Sequence, residues 1–134
     1  MTAWIVVEDE PDLYDMVLAM YETMGIDGIA FADGEEVADW LDELDPEHYG
    51  EELPELALID IRLPGDLNGI DIGSKLRSSQ ILKNMVIVLM TAYRLSPQEE
   101  ATAVARSSAD LILYKPLPPI HEFRQLMTQL VTSR

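Results

Sequence analysis

Five short apolar runs alternate with five amphipathic segments along this chain, and few architectures accommodate that order. AWIVV, Ala3 to Val7, has the length and unbroken apolar character of a strand buried on both faces. PDLYDMVLAMYETMG follows, with Leu13, Val17, Met20, Tyr21 and Met24 at helical spacing and Pro11 suited to a first turn. IDGIAFA reads as a second strand, and DGEEVADWLDEL as a second helix with Asp33 as N-cap and Val37, Trp40, Leu41 and Leu44 inward. DPEHYGEELPE, Asp45 to Glu55, is a polar, turn-rich loop of above-average length. ELALID, Glu55 to Asp60, is the third strand, and NGIDIGSKLRSSQI opens the third helix. NMVIVLMTA, Asn84 to Ala92, is the most strand-like run of all. SPQEEATAVARSSA has Ser96 as N-cap, Pro97 behind it and a weak, alanine-rich apolar face. DLILYKP is a fifth strand, and PPIHEFRQLMTQLV a last helix with Ile120, Phe123, Met127, Leu130 and Val131 on one side.

Strands that alternate with helices imply a parallel sheet covered on both faces. The crossover rule then makes a doubly wound three-layer α/β sandwich the simplest solution. No internal repeat, low-complexity tract or linker interrupts the pattern, so residues 1–134 are expected to form one domain. In such folds the ligand site lies beyond the C-terminal ends of the strands, at the switch point of the sheet.

Composition narrows the chemistry. There is no cysteine, which removes disulfides and thiolate metal sites, and the two histidines, His48 and His121, stand apart, which leaves no zinc pattern. No apolar run approaches the length of a membrane span, and no basic-then-apolar leader opens the chain. Between Met1 and Asp60 there are 19 acids and no Lys or Arg, and the net charge is -16. Direct binding to nucleic acid or to an anionic membrane is therefore not expected, and the default compartment is the cytoplasm.

The strand ends carry the informative residues. The first strand runs into Glu8 and Asp9, the third ends in Asp60, the fourth in Thr91, and the fifth in Lys115 followed by Pro116. Acids crowded beside a low-dielectric core repel one another unless they are fully solvated or share a cation. Each group has a task if the ligand is a phosphoryl group with Mg2+: hard carboxylate oxygens for the ion, Asp60 as a nucleophile forming an acyl phosphate, Lys115 as counter-charge and Thr91 as a hydrogen-bond donor. A lone aspartate at a strand end is ordinary cap or turn chemistry. The five together are not an ordinary assortment.

These residues resemble the motifs of two-component response-regulator receiver domains over the whole chain: the acidic pair Glu8-Asp9, Asp60 within IDIRLPG, Thr91-Ala92 after the fourth strand, and Lys115-Pro116. The resemblance implies a flavodoxin-like fold of five parallel strands in the order 2-1-3-4-5. It implies Asp60 as phospho-acceptor, with Mg2+ held by Asp9, Asp60, Glu8 acting mainly through water, and the backbone carbonyl of Arg62. Thr91 and Lys115 would contact phosphoryl oxygens, and Arg62, Ala92 and Tyr93 would flank the group and tune its lifetime. The Lys115-Pro116 bond is often cis in the family. Glu10 is expected outside the site, at the start of the first helix, where a negative charge suits the dipole. The implied partners are a histidine kinase or histidine phosphotransfer protein and a downstream protein met through the face of the fourth helix, fifth strand and fifth helix, a face that would also serve a homodimer. The implied role is phosphorelay signalling, with no catalysis beyond the domain's own phosphorylation and dephosphorylation, and no output domain is expected.

The chain departs from the pattern in two places. Ile112 stands where the family usually carries a switch aromatic, while Tyr114 sits beside Lys115 and is expected to serve packing. LPGDLNG holds one inserted residue, and Asp66, Asn68 and Gly69 read as turn and cap chemistry rather than a calcium loop. The alternative function is a pseudo-receiver that docks proteins without phosphorylation. A haloacid-dehalogenase-type phosphatase would need an acid where Arg62 stands. A flavodoxin would need phosphate donors where Glu8, Asp9 and Glu10 stand.

Overall fold

The computed structural model describes residues 2–44 and 53–134, so His48 and most of the polar loop expected at 45–55 lie outside the described residues. The elements run β1 (Ala3–Val7), α1 (Pro11–Thr23), β2 (Asp27–Phe31), α2 (Gly34–Asp42), β3 (Leu56–Asp60), α3 (Gly69–Ser78), β4 (Val86–Thr91), α4 (Pro97–Ser107), β5 (Leu111–Tyr114) and α5 (Ile120–Thr132). All pairings are parallel, in the order β2-β1-β3-β4-β5. The expected elements are all present, with strand ends trimmed by one or two residues.

Strand periodicity divides the core into two layers. Ile5, Val7, Ala57, Ile59, Ile87 and Leu89 face α2, α3 and α4, where they meet Val37, Ile72, Leu76 and Ala103. Trp4, Val6, Leu56, Leu58, Val88 and Met90 face the opposite way, toward Val17, Met20 and Tyr21 of α1 and Phe123 and Met127 of α5. The fully buried Tyr21 hydroxyl donates to the Ile5 carbonyl at 2.9 Å, and burial raises its pKa above the usual phenol value. Ile120, expected on the apolar face of α5, is 37% exposed because it is the helix's first residue and sits above the packed turns.

The helix starts follow local chemistry. Glu10 caps α1, its carboxylate accepting from the backbone of Asp12 and Leu13, which is the outward role expected of it. Asp33 caps α2, and Asn68 with Asp71 and Ser96 with Glu99 form capping boxes on α3 and α4. The first four strands thus each end in a loop that leads into a helix with a side-chain cap, whereas α5 starts at Pro119 without one. Those loops are held close to the edge where the acids lie.

At the opposite edge, Asp110 gathers charges that local patterns do not predict. Its carboxylate accepts from Arg134 at 2.6 and 2.8 Å, from Arg77 at 3.2 Å and from the Ile87 backbone at 2.9 Å. Partial burial alone would raise its pKa, but the Arg134 bond, the Ile87 N–H and both guanidinium charges hold it below the usual carboxylate value. A depressed folded-state pKa stabilises above the unfolded value of about 3.9, and that contribution disappears as pH falls through the folded value. Asp110→Asn is expected to lower stability at pH 7 by about 1–2 kcal/mol in denaturant unfolding. The gap to the unsubstituted protein should close as pH is lowered from about 4 toward 2.

Candidate functional site

The parallel register brings the acids together. Val7 pairs with Ile59, which sets the next residues, Glu8 and Asp60, side by side at the C-terminal edge of the two central strands. Glu8 is fully buried and Asp60 is 6% exposed, whereas Asp9 faces solvent. One oxygen from each of the three carboxylates lies within 4.8 Å of the others. Lys115 reaches over from the end of β5, its Nζ donating to Glu8 Oε1 at 2.7 Å and to Asp60 Oδ2 at 3.0 Å. Burial alone would lower the Lys115 pKa. The bonds to Glu8 and Asp60, with their charges, outweigh it and hold the ammonium above its ordinary value. Asp9 is pushed above the usual carboxylate value, first by desolvation and then by the neighbouring Glu8 carboxylate.

The donors are already apportioned. The second oxygen of Glu8 accepts from the Glu10 backbone at 3.0 Å, so both of its oxygens are engaged. Asp60 Oδ1 accepts from the Arg62 backbone at 3.2 Å. Thr91 is 1% exposed, and its Oγ1 accepts from the Tyr93 backbone at 3.1 Å. The Lys115 backbone donates to the Thr91 carbonyl at 2.8 Å, which ties the end of β5 to β4, and the Lys115–Pro116 bond is cis. Ala92 is exposed beside Thr91, and Tyr93 is 53% exposed beneath the Arg62 guanidinium, whose carbon lies 3.8 Å from the ring centroid. Ile112 pairs with Leu89, two residues back along β4 from Thr91, and is packed into the layer shared with α3 and α4. All the strand-end residues singled out in the sequence therefore lie along one edge.

The loop after Asp60 is held by contacts that the sequence did not announce. Glu35 of α2 accepts from the backbones of Asp66 and Leu67, both at 3.1 Å. Gly65 has φ +86°, a conformation that favours glycine, and any side chain there would meet the Glu35 carboxylate. Gly69 packs its Cα against the Asp60 carbonyl and donates to Ile61 O at 2.8 Å, which folds the loop back onto the site. Glu35 and Asp66 are 31 residues apart, and only the inserted residue in LPGDLNG hinted at an unusual loop.

Three clustered carboxylate oxygens against one ammonium, at the rim of a buried sheet edge, form the donor set a hard divalent cation takes. Asp9 is the exposed carboxylate of the three, whereas both oxygens of Glu8 and both of Asp60 already accept hydrogen bonds. The residues fit Mg2+.

A family profile for the response regulator receiver domain matches residues 4–128. The chain belongs to this family. The receiver domain is 30% identical over 115 residues to the DNA-binding response regulator MtrA of Mycolicibacterium smegmatis, a match over 86% of this chain and 44% of that protein, so it spans less than half of that relative. Its fold is shared with a CheY-like receiver domain protein from Methanospirillum hungatei, at TM-score 0.80 and 20% identity over 99% of this chain and 95% of that one. It is shared as well with the receiver domain of a sensor histidine kinase from Pseudomonas aeruginosa, solved with a magnesium ion in its active site cleft, at TM-score 0.78 and 20% identity over 98% of both chains. Receiver domains are phospho-accepting signalling domains, and the Glu8, Asp9 and Asp60 cluster fits a phosphorylation site. Among the described residues no helix is long and apolar enough to cross a membrane.

The buried Glu8 depends on its cation. Lys115→Met is expected to destabilise the receiver domain by about 1–3 kcal/mol in urea unfolding, because it leaves a buried carboxylate without its counter-charge. Adding Glu8→Gln to that variant should restore most of the loss. Single and double variants of equal stability would contradict this charge arrangement.

Proposed function

We propose that this receiver domain accepts a phosphoryl group on Asp60 from a histidine kinase or histidine phosphotransfer protein in a two-component phosphorelay. The observation that carries this reading is the convergence of Glu8, Asp9 and Asp60 with Lys115 at one sheet edge. An Asp60 carboxylate oxygen attacks the phosphorus of the donor phosphohistidine. The P–O bond forms as the P–N bond breaks, and the imidazole leaves with the electron pair and takes up a proton. Lys115 follows the developing charge from the Asp60 carboxylate to the phosphoryl oxygens. Thr91 turns its hydroxyl from acceptor of the Tyr93 N–H to donor toward the same oxygens. Asp9, Asp60 and the Arg62 carbonyl, with Glu8 through water, would hold Mg2+, which neutralises phosphoryl charge when bound.

Arg62 and Tyr93, stacked on each other at the rim, restrict the approach of water to the acyl phosphate. Ala92 leaves room beside Thr91 for the group itself. The signal then passes to a downstream protein, or to a second copy of the chain, through the face of α4, β5 and α5. The acidic surface argues against direct contact with nucleic acid or an anionic membrane, and a kinase donor places the domain in the cytoplasm. On this reading residues 1–134 act as one receiver unit, and the chemistry is limited to the domain's own phosphorylation and dephosphorylation. One observation favours a second reading, a docking module independent of phosphorylation: the switch position is filled by an aliphatic, Ile112, packed among core residues.

Intact mass after incubation with acetyl phosphate separates the two. One phosphoryl group is expected on the unsubstituted chain with Mg2+, and none without Mg2+ or in Asp60→Asn. No addition under conditions that label another receiver would favour the docking module. Once labelled, Arg62→Ala and Tyr93→Ala are each expected to lose the phosphoryl group several-fold faster than the unsubstituted chain in a mass time course. Unchanged or slower loss would contradict the shielding role.

A further inference from the structure

Tyr93 and Arg94, the two residues that follow Thr91-Ala92, are each stacked on a partner from another element. Arg62, from the loop after β3, covers the Tyr93 ring at 3.8 Å. Arg94 in turn lies over the ring of Tyr114, at the end of β5, with its guanidinium carbon 5.1 Å from the centroid. The Tyr114 hydroxyl donates to the Glu100 carboxylate in the first turn of α4. Two arginine–tyrosine stacks and one hydrogen bond therefore run as a strap from the rim of Asp60 to α4.

The strap is attached where the site's charge changes. Arg62 stands two residues after Asp60, and its own N–H is already on Asp60 Oδ1 at 3.2 Å. A guanidinium prefers a doubly charged phosphoryl group, which it can meet with charge-assisted hydrogen bonds, to the face of an exposed aromatic ring. Tyr93 is also tied to the site from behind, through its N–H on Thr91 Oγ1 at 3.1 Å. At the far end, α4 is lightly anchored. Only Ala103 and Ser107 of this helix are buried, and both lie in its second half. Its first turn is held to β5 by the Tyr114–Glu100 bond. Tyr114 shares a strand face with Ile112, so it occupies the side of β5 that α4 covers.

We propose that this strap, Arg62–Tyr93–Arg94–Tyr114–Glu100, makes the packing of the α4 N-terminal half depend on the charge at Asp60. The inference rests on the phospho-acceptor reading above. A phosphoryl group draws Arg62 off Tyr93 and takes the Thr91 hydroxyl from the Tyr93 N–H. The loop through Arg94 is freed, Tyr114 loses its stacked cation, and its bond to Glu100 opens to water. Tyr114 is then a positioning residue that transmits the state of Asp60, and its role goes beyond packing.

Backbone amide exchange of residues 97–107, followed by mass spectrometry with and without acetyl phosphate in Mg2+, tests this while intact mass reports labelling of the same samples. Phosphorylation is expected to raise exchange in the unsubstituted chain by about fivefold or more. Tyr114→Phe should take up the same phosphoryl group, exchange faster before labelling, and change by less than about twofold after it. Arg94→Ala cuts the strap on the exposed loop without touching the sheet, and the same muted response is expected there. Labelled Tyr114→Phe or Arg94→Ala that responds like the unsubstituted chain overturns the strap alone, as does a labelled unsubstituted chain with unchanged exchange. An unsubstituted chain that gains no phosphoryl group overturns the phospho-acceptor reading and the strap with it.

Discussion

Three carboxylates and one ammonium at the C-terminal edge of the sheet set the terms for the rest of the molecule. Glu8 is wholly buried, and a buried carboxylate persists in a fold only when it is paired and hydrogen-bonded. Lys115 supplies the pair at 2.7 Å and the Glu10 backbone supplies the second bond. The ion pair joins residues 107 positions apart, so it exists only once β1, β3 and β5 have been placed in order. The cluster holds three carboxylates against one ammonium, an imbalance that suits it to a divalent cation.

The surrounding structure holds that imbalance in place. Alternating apolar residues commit β1, β3 and β4 to a core packed on both faces, which fixes how far each strand's last residue extends. Capped helices begin soon after the strands, and the loop after Asp60 is fastened by Glu35 and by the close approach of Gly69. At the far edge, Arg77 binds the carbonyls of Lys83, Met85 and Ser108 as well as Asp110, and so secures the start of β4 and the end of α4. One end of the sheet is thus closed by satisfied ion pairs. The other is left open and charged.

Much of this was legible in the sequence, for a physical reason. Strand and helix periods are local, so AWIVV, ELALID and NMVIVLMTA reveal both the sheet and the residues at its ends, and the parallel order then brings Glu8, Asp9, Asp60, Thr91 and Lys115 to one edge. Contacts between distant loops were not legible. The Glu35 clamp, the Arg62–Tyr93 stack and the Asp110 hub depend on where long side chains point, and no local pattern encodes that. Tyr114 shows the limit most clearly. Neighbouring strand residues face opposite ways, so its place beside Lys115 suggested packing, yet the same rule puts it on the face of Ile112, where its hydroxyl reaches Glu100.

The central claim is that Asp60, alone among the clustered acids, becomes the acyl phosphate. Reduction of the phosphorylated chain with borohydride, followed by peptide sequencing in the mass spectrometer, tests it most directly, because an aspartyl phosphate is reduced to homoserine while free carboxylates are left unchanged. Homoserine at position 60 and nowhere else is the result this account predicts. Homoserine at Asp9, or at any other acid with Asp60 intact, would contradict it.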